Sequence, residues 1–177
     1  MDNFVAIHAD VSQRLVLHQR SFQFMDLHVS GISWRFPGRT GVQTNWASSS
    51  IAYPPDSAFH RQIHDFGEGI LVLDGIFCDE NGDYKQGCYF KNLPGSTHAP
   101  WSGMGSVSFV KFSHLDPADE QQLAFDTRPG QWPLRLVPGP AVLPLSSLGT
   151  HNAAVVRCAP ARGSIRIVIL VVKRFML

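Results

Sequence analysis

Turn signals cut this chain into pieces too short for helices. Pro54-Pro55-Asp56, Asn81-Gly82 and Pro94-Gly95 break residues 48 to 112 into extended runs at 48–53, 59–64, 70–77, 88–92 and 107–112. Glycine and proline clusters of this kind punctuate strands. The run 70–77, rich in Ile, Leu and Val, reads as a buried strand, and 59–64 alternates in character. Asn-Gly between two such runs is a strong hairpin signal. Strands this short at this spacing predict an all-β sandwich or barrel. A helical period shows only over Ala9 to Gln19.

Composition narrows the class further. Hydrophobic residues make up 44% and charged residues 16% of the 177 positions, which excludes a disordered chain. A domain of this length buries roughly 70% of its unfolded surface. The net charge is +1 with no basic run, so a nucleic-acid footprint is excluded. The longest apolar block, 167–172, falls far short of the roughly 20 residues of a membrane helix. The first twenty residues lack an uninterrupted apolar core, so no signal peptide is expected. Cys78, Cys88 and Cys158 are odd in number and form no Cys-x-x-Cys pair. That excludes a disulfide framework and a structural zinc cluster, and a reducing, cytoplasmic setting is expected.

The candidate chemistry lies between His60 and His98. His64 and Glu68 stand four residues apart across Gly67, and His98 follows the Pro94-Gly95 turn. Two imidazoles and a carboxylate converging from neighbouring strands suit a divalent transition metal and leave positions open for chemistry. Positions 62 and 64 share one face of a strand by period-two alternation, which puts Gln62 beside His64. Asp79, Asn81 and Asp83 imitate the opening of a calcium loop, but Gly82 stands at the fourth position and no closing Glu follows. A hairpin turn is the reading there, with Cys78 and Cys88 flanking it in position to face one another. Trp101, Phe66, Phe90 and Phe109 line a small apolar pocket or belong to the core. His8, His18, His28, His114 and His151 show no partner pattern and read as surface or structural residues.

The spacing Gln62-Ile63-His64, Glu68, Gly75 resembles the first motif of the cupins, His-x-His, three or four residues, Glu, six residues, Gly. Residues 71–100, LVLDGIFCDENGDYKQGCYFKNLPGSTHAP, are similar to the subgroup of ChrR anti-sigma regulators and acetylacetone-cleaving dioxygenases. The resemblance spans about residues 31 to 160. It implies a cupin double-stranded β-helix, a jelly-roll barrel. It also implies metal ligands at His64, Glu68 and His98, with Fe or Zn as the ion. The family's first His is replaced here by Gln62, and its second consecutive Glu by Gly69, which loosens support behind the ligands. Three arrangements stay open: a three-ligand site, Gln62 as a weak fourth ligand, or His60 drawn in by a bulge.

The expected organisation is an extension over 1–30, a cupin barrel over 31–128, and a partial second cupin-like repeat with an apolar strand over 129–177. The repeat rests on the shared pattern of Trp, Pro-Gly and extended segments that starts at Trp34 and again at Trp132. Residues 165–172 carry a single charge, Arg166, and are expected to pair with a sheet edge of their own barrel or of a partner. The functional expectation is a metal-binding cupin acting as an iron-dependent dioxygenase on a small dicarbonyl-like molecule. The alternative is a non-catalytic, anti-sigma-factor-like module that senses a ligand or redox state. The partners expected are a small molecule and a second copy in a homodimer, with neither nucleic acid nor membrane.

Overall fold

The computed structural model describes residues 25–26, 33–39, 47–128, 141–149, 151–158 and 166–172. The helical period over Ala9 to Gln19 and the repeat start at Trp132 lie outside them. The described residues are all-strand: β1 (Met25–Asp26), β2 (Ser33–Arg39), β3 (Ala47–Tyr53), β4 (Ser57–Ala58), β5 (Gln62–His64), β6 (Glu68–Asp79), β7 (Gly82–Lys85) and β8 (Cys88–Asn92). There follow β9 (Ser96–His98), β10 (Trp101–Ser102), β11 (Ser106–Phe112), β12 (Ala124–Asp126), β13 (Ala141–Leu148), β14 (His151–Cys158) and β15 (Arg166–Val172). Contacts divide the chain into two units, Met1–Phe125 and Asp126–Leu177.

In the first unit the strands run in the order β1-β2-β3-β11-β6-β10-β4, with β7 and β8 also on β6 and β12 on β8. The pivot is β6. Its first residues, Glu68–Leu71, pair with β8, and its last, Ile76–Asp79, pair with β7. Along its other edge β11 runs from Glu68 to Gly75, and Trp101 of β10 then takes Cys78. One strand thus serves both walls of the barrel.

It turns the corner at a bulge. Ser108 of β11 pairs with Val72, and the preceding residue, Val107, pairs with Asp74, so Leu73 is extra. An extra residue bends a strand and reverses which faces its later side chains take. Glu68, Ile70 and Val72 therefore point inward before the bulge, and Phe77 and Asp79 after it. Gly75 completes the bend at φ 70°. A Cβ built there would meet the Gly105 carbonyl oxygen at 2.0 Å, so no side chain fits.

Ile51, Tyr53, Ile70, Val72, Phe77, Tyr84, Phe90 and Val110 form the core. Each fully buried side chain of this kind contributes roughly 1.5–3 kcal/mol. Phe77 is its hub: its ring lies 5.5 Å from Tyr53, 5.3 Å from Phe90 and 6.1 Å from His98, centroid to centroid. On the other face of β8, Lys91 is fully buried and reaches both oxygens of Asp119, at 2.9 and 2.7 Å. This pair, with Lys91 N–H donating to the Leu123 carbonyl, staples the segment after β11 onto β8.

The second unit holds an antiparallel meander, β13-β14-β15. Gly149, at φ 55°, lies in the turn between β13 and β14. Pro144 sits at a register shift, the place where a strand tolerates a residue without an amide proton. Residues 166–172 of the apolar run form β15, and its partner is β14 within this three-stranded sheet.

Two sequence expectations are corrected here. Cys78 and Cys88 do not face one another: Cys78 pairs across the ladders with Asp83 and Trp101, whereas Tyr89, beside Cys88, pairs with Leu71. Trp101 and Phe66 are exposed rather than lining a pocket, and Phe90 is core.

Gly75→Ala is expected to cost more than about 2 kcal/mol, from the left-handed backbone and the collision with Gly105 together. Chemical denaturation of both proteins checks this, and an unchanged midpoint would show that β6 does not need the sharp corner.

Candidate metal centre

β5 and β9 form a two-stranded ladder in which Gln62 faces His98, Ile63 faces Thr97 and His64 faces Ser96. Directly opposed residues share a face, so Gln62, His64 and His98 look the same way. The chain then leaves β5 through a tight turn in which Gly67 N–H donates to the His64 carbonyl at 3.0 Å. Gly67 stands at φ 63°, and a Cβ on it would lie 2.7 Å from Leu115 Cδ1 and 2.8 Å from the Asn92 carbonyl. The next residue, Glu68, opens β6. Gly95 N–H donates to the same His64 carbonyl at 2.8 Å, which ties the Pro94-Gly95 turn, and with it β9, to β5.

These local constraints bring three side chains together. Glu68 Oε1 lies 3.3 Å from His64 Nε2 and 3.3 Å from His98 Nε2. One ligand atom from each of the three lies within 4.8 Å of the others, and all three residues are buried. Two ligand atoms bound at about 2.0–2.1 Å to one tetrahedral ion sit roughly 3.3 Å apart. His64 Nε2 is buried and has no hydrogen-bond partner despite its closeness to Glu68. A buried ring nitrogen left without a partner calls for an explanation, and a metal ion supplies one. The donor set fits a divalent transition metal.

Two residues outside the predicted set reach the same cluster. Asn92 Nδ2 donates to Glu68 Oε1 at 2.8 Å. Asp79, whose side chain is 0% exposed, places Oδ2 3.2 Å from His98 Nδ1. The sequence pattern marks Asp79 only as a turn residue; the extra residue at Leu73 reverses the alternation beyond it and brings Asp79 onto the inward face with Phe77. His60 is exposed and lies outside β5, apart from the cluster. Gly69 faces away from Glu68, toward His114 Cε1 and Tyr89 Oη, each 2.9 Å from a Cβ built there. Its lack of a carboxylate therefore removes nothing from behind the ligands. His114 is buried and structural, its Nδ1 2.8 Å from the Lys111 carbonyl.

The electrostatics follow from burial and pairing. Burial works to raise the Glu68 carboxyl, but the His98 hydrogen bond and the two imidazoles outweigh it and hold the carboxyl below its ordinary range. Burial, helped by the neighbouring His98, lowers His64 beyond what Glu68 and Asp65 restore. At His98 burial also works downward, but the hydrogen bonds to Asp79 and Glu68 outweigh it and raise the imidazole to about 9. Tyr53, in the core, is pushed up by burial and then by the Glu68 charge.

The chain belongs to the ChrR cupin-like family, whose model matches residues 12–116. A putative acetylacetone dioxygenase from Methylibium petroleiphilum PM1 is 12% identical, with TM-score 0.52 over 69% of this chain and 96% of that one. A putative dioxygenase from Nostoc punctiforme PCC 73102 is 13% identical, with TM-score 0.57 over 78% of this chain and 55% of that one. The Rhodobacter sphaeroides complex of SigE with the anti-sigma ChrR aligns at 20% identity and TM-score 0.45, over 54% of this chain. This chain spans 51% of the matched chain in that complex. No protein of curated function matches the sequence. The fold is the cupin double-stranded β-helix. No helix among the described residues is long and apolar enough to cross a membrane.

An ion that takes His98 Nε2 must displace its proton. With His98 raised to about 9, apparent affinity for a divalent ion is expected to climb by up to about tenfold per pH unit from 7 to 9. In the metal-free chain the sign is opposite. The raised value contributes stability present in full below about pH 6.5 and lost as pH rises toward about 9. Calorimetric titration in two buffers of different ionisation enthalpy reads the released proton directly; zero release at pH 7 would contradict the assignment.

Proposed function

We propose that this protein is a metal-dependent cupin that binds one divalent ion at His64, Glu68 and His98 and acts as an iron-dependent dioxygenase on a small dicarbonyl-like substrate. The observation that carries the reading is the buried pair of imidazoles and single carboxylate with His64 Nε2 lacking a hydrogen-bond partner. Two His and one carboxylate leave coordination positions open, as non-haem iron oxygenases require. Bound iron supplies Lewis acidity toward chelating oxygens and the electrons for O₂ chemistry.

The chain's own residues do the rest. Asn92 fixes the Glu68 carboxylate, and Asp79 lies against the far nitrogen of His98. Phe77, stacked on His98, keeps water from the inner side. Gln62, on the His98 face and half-buried, offers an amide to a substrate oxygen or acts as a weak fourth ligand.

Gln62 also favours the second reading, a ligand- or redox-sensing module without turnover. It stands where the family places a His, and an amide oxygen is a poorer ligand for iron or zinc than imidazole. Among the described residues β15 pairs only with β14, an edge that supports homodimer formation. The meander of the second unit supports a partial second repeat over 129–177.

The test is oxygen uptake. The full chain is loaded with Fe²⁺ under argon, supplied with acetylacetone and related diketones, and opened to air. Consumption of O₂ that depends on the diketone is the expected result. Bound iron without uptake across the panel would overturn the dioxygenase reading in favour of the sensor.

A further inference from the structure

The acidic turn that resembles a calcium loop in sequence acts inward. We propose that Asp79 is the positioning residue of the metal centre: it holds the His98 ring so that Nε2 faces the ion, and it supplies the second negative charge that a divalent ion needs in this buried site. The inference rests on the metal reading above and adds to it a residue that is not itself a ligand.

Geometry carries it first. Asp79 is completely buried, and both carboxylate oxygens have work: Oδ1 accepts the Asn81 N–H at 2.8 Å, and Oδ2 lies 3.2 Å from His98 Nδ1. Asn92 Nδ2 is also 3.2 Å from that nitrogen, but an amide N–H needs an acceptor there and a carboxylate needs a donor. Only one can be satisfied. Asn92 has a shorter bond to Glu68, at 2.8 Å, so the Asn92 contact is spared and Nδ1 carries the proton toward Asp79. That fixes the proton on Nδ1 and leaves Nε2, on the Glu68 side, as the nitrogen that gives up its proton when an ion binds. A metal-binding His oriented by a carboxylate on its other nitrogen is also a more basic ligand.

Charge carries it second. His64, His98 and Gln62 are neutral when they face a cation, so Glu68 alone would leave a divalent ion with a net positive charge in a buried site. An unbalanced buried charge is costly. Asp79 makes the assembly neutral. This also accounts for tolerance of Gln62, since exchanging one neutral donor for another leaves the balance intact.

The turn itself is braced to the strands that carry the ligands. Glu80 Oε2 accepts the Ala99 N–H at 2.9 Å, one residue beyond His98. Its other oxygen meets Arg61, one residue before Gln62, at 2.6 Å. Arg61 in turn reaches Thr97 Oγ1 on β9 at 3.3 Å. Asp79 is thus held in register with both β5 and β9.

The probe is Co²⁺, whose visible spectrum reports ligand geometry, with affinity read by chelator competition on the full chain. Asp79→Ala is expected to weaken Co²⁺ binding by about 10–100-fold and to change the spectrum. Asp79→Asn, which keeps the size and an acceptor oxygen but not the charge, is expected to fall between Asp79→Ala and wild type. Wild-type affinity and an unchanged spectrum in folded Asp79→Ala would overturn the inference while leaving the metal reading intact. A wild-type chain that binds no Co²⁺ overturns both. Should the variants fail to fold, ¹⁵N spectra of the His98 ring in the Zn²⁺-loaded wild type decide: a proton on Nδ1 with metal on Nε2 is expected, and metal on Nδ1 overturns the inference.

Discussion

A carboxylate buried at the meeting point of three strands organises this barrel. Glu68 is 2% exposed, and an ionised carboxyl in such a place is tolerated only when its oxygens are fully engaged. One oxygen, Oε1, is approached by Asn92, His64 and His98 together. Each of those partners depends on a different piece of the fold: Asn92 on the β6–β8 ladder, His64 on the Gly67 turn, His98 on the β5–β9 ladder. Loss of the register of any one strand would leave the charge without its company. The site and the barrel mouth are in this sense one structure.

The sheet around Glu68 is arranged by β6. Before its bulge the strand sends Glu68, Ile70 and Val72 inward, and after it Phe77 and Asp79. The same strand therefore supplies Glu68 of the cluster at one end and Asp79, behind His98, at the other, with hydrophobic core between. Phe77 connects the two, touching Tyr53, Phe90 and His98. The hydrophobic core and the His-Glu cluster share a wall, so changes in core packing reach the orientation of His98. The exposed Ile63 lies on the opposite face of β5 from His64 and takes no part in this.

Much of this was legible in the residues. Period-two alternation put Gln62 and His64 on one face, Gly67 marked the turn before Glu68, and Pro94-Gly95 marked the corner before His98. Asn81-Gly82 marked the hairpin that joins β6 to β7. Asp79 was not legible, for a physical reason: strict alternation counted from Glu68 turns residue 79 outward. Only the extra residue at Leu73 brings it in, and nothing in LVLDGIF announces a bulge except Gly75. Gly69 shows the converse: alternation from Glu68 turns it outward, toward His114 and Tyr89, so a paired Glu there would not stand behind the cluster. The Cys78–Cys88 expectation failed because flanking a hairpin in sequence does not fix the register, and the pairing of Tyr89 with Leu71 carries β8 far along β6 from Cys78.

The proposed function depends on His64, Glu68 and His98 holding a metal ion. Metal content, measured by elemental analysis on the full chain purified without chelator, tests it most directly when wild type and His98→Ala are compared. Close to one transition-metal ion per wild-type chain and a large loss in His98→Ala are expected. Equal, near-zero metal in both proteins would contradict it and leave a cupin barrel whose buried imidazoles serve the fold alone.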